Sequence, residues 1–128
     1  MARPEIARVI IFAKDMGKME SFYRDVIGLS RVTTPDDSRD FVSFDAGAVR
    51  LSLHRIPEEY ASDSEIADPP VPRKKTPIKI VFLADDVTRT RSELESRGAS
   101  LGPVHQFGAL HLCDGTDPEG NVFQLSNR

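Results

Sequence analysis

No tryptophan and a single cysteine, Cys113, occur in this 128-residue chain. A lone thiol excludes an internal disulfide framework and fits a reducing compartment, so the cytoplasm is the expected location. No apolar run approaches the ~18–20 residues that a membrane span requires. The opening Met1-Ala2-Arg3-Pro4-Glu5-Ile6 has no long apolar stretch after its one arginine, so neither a membrane anchor nor a secretory signal is expected. Positive charge is not in excess either. Seventeen Lys and Arg against twenty Asp and Glu give a net charge of −3, which leaves no footprint for nucleic acid. The apolar share of 39% and charged share of 29% are ordinary for a soluble globular protein. The length suits one domain, or two small modules sharing a core.

What the chain does contain is an internal echo. Arg8-Val9-Ile10-Ile11-Phe12-Ala13-Lys14-Asp15-Met16 answers, 71 residues later, to Lys79-Ile80-Val81-Phe82-Leu83-Ala84-Asp85-Asp86-Val87. Each half closes on a second echo, Val49-Arg50-Leu51-Ser52-Leu53 against Asn121-Val122-Phe123-Gln124-Leu125. A repeat of this kind implies two copies of one supersecondary unit, and a pocket at their seam.

In the first copy, Ile6–Ala13 is a near-continuous β-rich run, and Asp15 is placed to cap the helix after it. Met16, Met19, Phe22, Tyr23, Val26 and Ile27 form one apolar helix face, which Gly28 terminates. Strand candidates follow at Leu29–Thr33, Asp40–Asp45 and Ala48–His54, the last two joined by the turn Asp45-Ala46-Gly47. Residues 56–77 carry five prolines among charged residues and read as a linker or a lid. The second copy starts with Ile78–Ala84, then Asp86 as cap, a more polar helix from Val87 to Arg97, and Gly98 as its stop. Ser100–Gln106, Leu110–Cys113 and Asn121–Ser126 complete it. The turn Asp117-Pro118-Glu119-Gly120-Asn121 precedes the last strand.

The order βαβββ, linker, βαβββ resembles the vicinal oxygen chelate superfamily, which includes glyoxalase I, extradiol dioxygenases and bleomycin-resistance proteins. The residues that carry the likeness are Phe22-Tyr23-Arg24-Asp25-Val26-Ile27-Gly28-Leu29, similar to the family's FYxxVLGL, and Asp117–Leu125, similar to its DPDGNxxEL. Asp15, Asp86 and Gly98 fit the same scheme, so the resemblance spans nearly the whole chain. It implies an α+β fold with one glyoxalase-like domain over residues 1–128. Module 1 covers 5–55, the linker 56–77 and module 2 78–128. Together the tandem βαβββ modules would form an open, cupped eight-stranded sheet with helices outside. It also implies pairing into a homodimer, since open sheets leave edges to cover.

Enzymes of that superfamily hold a divalent metal with His or Gln on the first strand, Glu on the fourth, His on the fifth and Glu on the eighth. The matching positions here are Arg8, Ser52, Lys79 and Gln124. Protonated Arg and Lys offer no lone pair and repel a cation, so no metal and no other cofactor is expected. A relocated site would need His54, His105 and His111 to converge from three strands.

Strand alternation sorts the side chains. Arg8, Ile10 and Phe12 share one face of the first strand. Arg50, Ser52 and His54 share it on the fourth, Lys79, Val81 and Leu83 on the fifth, and Val122 and Gln124 on the eighth. The ligand-binding candidates are therefore Arg8, Phe12, Arg50, Ser52, His54, Lys79 and Gln124. Three cations and no acid on these four strands suit a small organic anion. In the opposing reading, Arg8 and Lys79 sit at the rim, paired with Glu58, Glu59 or Asp63, or lie at a dimer contact. Asp36-Asp37 and Asp85-Asp86 read as turn and cap residues, and Cys113 as a structural thiol. Two functions stay open. One is a small-molecule-binding protein without the family metal. The other is a metal-free or relocated-metal lyase, isomerase or dioxygenase-type enzyme using Lys79 or His54 as proton shuttle. A dry, unpaired Lys79 favours the enzyme, and an exposed or ion-paired one favours binding.

Overall fold

The computed structural model describes residues 2–61 and 65–128. Asp63, one of the acids considered as a partner for Arg8 or Lys79, lies outside the described residues. The chain divides into two units, Met1–Glu65 and Ile66–Arg128.

The first unit comprises β1 (Arg8–Ala13), α1 (Met16–Ser21), β2 (Ser30–Val32), β3 (Phe41–Asp45), β4 (Arg50–Arg55) and a short α2 (Glu58–Ala61). Its sheet runs β1-β4-β3-β2, parallel between β1 and β4 and antiparallel elsewhere. Asp15 caps α1 as its sequence position suggests, its Oδ1 accepting the Lys18 N–H at 3.0 Å. The expected single α-helix to Ile27 changes character at Phe22. Phe22–Val26 is a π-helical turn, closed by the Ile27 N–H donating to the Phe22 carbonyl at 3.0 Å. The wider turn narrows the angle between neighbouring side chains, and both Phe22 and Tyr23 are buried. Gly28 ends the segment at φ 90°, a conformation open to glycine. Met16, Met19, Phe22 and Tyr23 on the helical side, with Val42, Phe44, Leu51 and Leu53 on the sheet, make this unit's core.

The second unit comprises β5 (Ile80–Leu83), α3 (Val87–Ser96), β6 (Ser100–Leu101), β7 (His105–Phe107), β8 (Leu110–Thr116) and β9 (Val122–Ser126). Its order, β5-β9-β8-β6, repeats that of the first unit, again with one parallel pair, β5 and β9. Among the described residues nine strands stand where eight were expected. The candidate Ser100–Gln106 is split at Gly102-Pro103, because proline has no N–H for the ladder. The Arg91 guanidinium takes up the freed carbonyls of Gly102 at 2.7 Å and Leu101 at 3.2 Å. β7 pairs with β8 on its own account. β8 in turn runs to Thr116, three residues past the expected end at Cys113. Asp86 caps α3 through the Arg89 N–H at 3.0 Å. Val87, Leu94, Cys113, Phe123 and Leu125 form the core here.

The echo survives as strand register. Val9, Ile10 and Ile11 oppose Leu51, Ser52 and Leu53, while Ile80, Val81 and Phe82 oppose Phe123, Gln124 and Leu125. On the next strand over, Ser43 opposes Ser52 and Asp114 opposes Gln124. The same cross-strand position therefore holds two serines in one unit, and an aspartate with a glutamine in the other.

The stretch after residue 65 is tied to the second unit. The Arg73 N–H donates to the Gly120 carbonyl at 2.8 Å, and its Nη2 donates to Asn121 Oδ1 at 3.0 Å. The turn that receives it is built on Asp117, which is only 1% exposed. Its Oδ1 accepts the N–H groups of Glu119 and Asn121, both at 2.9 Å, and its Oδ2 accepts Asn121 Nδ2 at 2.7 Å. Gly120 has φ 85°, and a Cβ there would strike the Val71 carbonyl. Glycine is required twice over, for backbone angle and for space.

Candidate ligand-binding site

In the first unit, alternation holds along β1: Arg8, Ile10 and Phe12 are exposed, while Val9 and Ile11 are half-buried and Ala13 is fully buried. Arg8 and Arg50 are register partners on adjacent parallel strands. Among the described residues neither makes an ion pair, and neither Glu58 nor Glu59 pairs with Arg8. Asp45 opposes Arg50 in register, but its Oδ1 accepts the Gly47 N–H at 3.0 Å within its own turn. Four residues along β1, ~13 Å at strand rise, stands an aromatic cluster. The His54 ring lies 5.4 Å from that of Phe12 and 5.6 Å from that of Phe41. His54 also lines a cavity of about 620 Å³ with Lys14, Arg39 and Arg55, where Arg55 Nε is paired with Asp40 at 2.8 Å. Ser52 offers least to a ligand. It is fully buried, its hydroxyl bonded to that of Ser43 at 2.8 Å.

The second unit brings Lys79 and Gln124 onto one group that the sequence reading missed. Lys79 Nζ lies 3.3 and 3.2 Å from the two carboxylate oxygens of Asp114, and Gln124 Nε2 donates to Asp114 Oδ1 at 3.1 Å. The fully buried Ser43–Ser52 hydroxyl pair is the repeat equivalent of this Gln124–Asp114 contact. The signal for Asp114 lay in β8 itself. Once the strand passes Cys113, alternation from Leu112 carries to Asp114 and Thr116. The Lys79–Asp114 pair is solvated, with side chains 43% and 48% exposed. Lys79 also lies just before β5, where a first-strand residue of the family would begin the strand.

The four family metal positions thus hold two cations, a buried serine and a glutamine engaged with Asp114. Of these only the serine hydroxyl and the amide oxygen have lone pairs to give, and the donors do not fit a divalent ion. Among the described residues no three His, Cys, Asp or Glu side chains converge, and His54, His105 and His111 do not meet to replace them. Among the described residues no helix is long and apolar enough to cross a membrane.

Comparison with known proteins bears on the same architecture. The structure is similar to that of lactoylglutathione lyase from Agrobacterium tumefaciens, at 25% identity and a TM-score of 0.66, over 98% of this chain and 94% of that one. It is similar to TnmS3, an antibiotic binding protein from Streptomyces sp. CB03234, at 19% identity and a TM-score of 0.71, over 98% and 96%. It is also similar to the bleomycin-binding protein of Streptomyces verticillus, solved with copper(II)-bleomycin, at 19% identity and a TM-score of 0.64, over 98% and 97%. A family model described as a glyoxalase-like domain matches residues 8–126, from the first residue of β1 to the last of β9. With the repeated βαβββ order and both motif turns in place, the chain belongs to the glyoxalase-like domain family of the vicinal oxygen chelate superfamily.

Proposed function

We propose that this protein binds a small organic anion without transforming it, and that the β1/β4 face of the first unit is where the anion is held. The single observation behind this reading is the contrast between the two repeat-equivalent cations. Lys79 is ion-paired because its unit has Asp114, opposite Gln124, within reach. Among the described residues Arg8 makes no ion pair, and the residue equivalent to Asp114 is Ser43. Two guanidiniums carried at register positions on neighbouring strands repel one another. An anion between Arg8 and Arg50 relieves that repulsion and gains bidentate hydrogen bonds. Its apolar portion lies along Ile10 towards Phe12, which is 55% exposed, and the His54 ring beside it.

Proton-transfer chemistry through Lys79 is disfavoured by the same geometry. A desolvated amine free of an acid partner is what such a role needs, and this one is solvated and held by Asp114. The names of two similar structures, an antibiotic binding protein and a bleomycin-binding protein, agree with binding as the activity. The homodimer and the cytoplasmic location belong to this proposal as well. Exposed apolar side chains on β1 and β5, both at sheet edges, support the first, and the free, buried Cys113 supports the second.

Titration with 1-naphthoate and with the uncharged 1-naphthalenemethanol tests the reading. Naphthoate should raise Tm and bind, and the alcohol should do so far more weakly. Arg8→Ala and Arg50→Ala should each weaken naphthoate by ~1.5–3 kcal/mol, the range for a hydrogen bond to a charged group. Equal binding of acid and alcohol, or naphthoate binding indifferent to both substitutions, would assign these arginines to structure alone.

A further inference from the structure

Residues 71–76 form a strap across the second unit, anchored at Gly120 and Asn121 by the two Arg73 hydrogen bonds. Behind it lies a cavity of about 580 Å³, well within the range of small-molecule sites. Its apolar lining comes from Leu101, Leu112 and Val122, and its cationic lining from Arg73 and Lys74 of the strap and from Lys79. Three cations there face one carboxylate, Asp114, and that one is bound to Lys79. Among the described residues the Arg73 side chain is held by the neutral amide of Asn121, and neither Arg73 nor Lys74 makes an ion pair. Among the described residues two positive charges are therefore left unmatched beside an apolar wall, with the hydroxyls of Ser100 and Thr116 as further hydrogen-bonding groups.

We infer that this cavity, whose lining belongs wholly to the second unit, is a further ligand site, for an organic dianion with a compact apolar body. A phosphate monoester and a dicarboxylate share that chemistry. A neutral apolar ligand would leave Arg73 and Lys74 unmatched, and a monoanion would match one of them. Inorganic phosphate would match both and leave Leu101, Leu112 and Val122 in water. Because two of the cations ride on the strap, the ligand also ties the strap down. Arg73 then links the bound anion to the Asp117 turn through Gly120 and Asn121. Every residue of the site belongs to the second unit, so it does not depend on the anion proposed for Arg8 and Arg50.

The experiment is calorimetric titration of the intact protein with phenyl phosphate and isophthalate, against inorganic phosphate, benzoate and benzyl alcohol. Both organic dianions should bind, with each of the three comparison compounds about tenfold or more weaker. Lys74→Ala should weaken phenyl phosphate about tenfold, the effect of losing one hydrogen bond to a charged group. Lys75→Ala, a strap residue outside the cavity lining, should leave it unchanged. Lys74 is exposed, so its substitution does not threaten the fold. Inorganic phosphate binding as tightly as phenyl phosphate would overturn the organic class. Indifference to Lys74→Ala would overturn the site, and sensitivity to Arg8→Ala in its place would move the dianion to the β1/β4 face.

Discussion

At the scale of single residues, burial and partnering separate groups that look alike in the sequence. Arg8 and Lys79 hold repeat-equivalent positions, yet Lys79 is paired with Asp114 while among the described residues Arg8 makes no ion pair, and the residue equivalent to Asp114 is Ser43. Cys113 shows the effect of burial on a titrating group. It is 0% exposed, and burial pushes its thiol above the ordinary value, with the nearby Arg91 opposing and Asp114 adding to the shift. The thiolate is the reactive form, so the folded protein should resist iodoacetamide at neutral pH and react once denatured. The linkage has a definite sign. A thiol whose folded pKa lies above its unfolded one contributes stability that is complete below the unfolded value. That contribution is lost as pH rises through the folded value. Denaturant midpoints measured from neutral to alkaline pH should therefore fall for the native protein more steeply than for Cys113→Ala. Parallel slopes would show that the thiol is not protected.

At the scale of elements, local chemistry sets where helices begin, and packing sets how strands end. Asp15 and Asp86 sit at equivalent helix starts, each accepting an N–H three residues on at 3.0 Å. Replacing Asp86 by Ala should cost about 1 kcal/mol, read as a lower denaturant midpoint, with the same cost for Asp15→Ala. Gly115 is a packing glycine inside β8, where an added Cβ would run into the Phe123 ring and into Leu101 Cδ2. Gly115→Ala should destabilise by ~1–3 kcal/mol through overpacking, and a neutral result would mean that the Phe123 ring can shift aside. Both helix caps and the Gly28 stop were legible from local sequence, since capping depends on a few neighbouring groups. The π-turn at Phe22–Val26 was not, because the pattern of buried positions fits an α-helix and a π-turn equally well. The break at Gly102-Pro103 was written in the proline, but the arginine that satisfies the freed carbonyls comes from α3.

At the scale of the whole molecule, the proposed homodimer makes a direct prediction. Leu83 is 72% exposed at the sheet edge formed by β5, and Ile78 just before it is also 72% exposed. Light scattering at micromolar concentration should report twice the chain mass. Leu83→Glu should shift it towards the monomer, because a carboxylate desolvated in an apolar contact is costly. Being exposed, the substituted residue should leave unfolding of the single chain nearly unchanged. A native protein of monomeric mass would remove the dimer from the proposal.

The repeat and the alternating faces of β1, β4 and β9 were present in the order of residues, whereas the parallel pairing of each unit's first and last strands came with the fold. Strand alternation and helix capping are local rules, so sequence alone determined them. The expectation that Arg8, Ser52, Lys79 and Gln124 stand at the family's metal positions rests on the motif resemblance and likewise needs no coordinates. Tertiary structure alone decided the electrostatics. Asp114 reaches Lys79 across 35 positions of chain, Asn121 reaches Arg73 across 48, and Ser52 is spent on Ser43. Pairing of charges depends on distance in space, falling off within a few ångströms, and separation along the chain does not specify that distance.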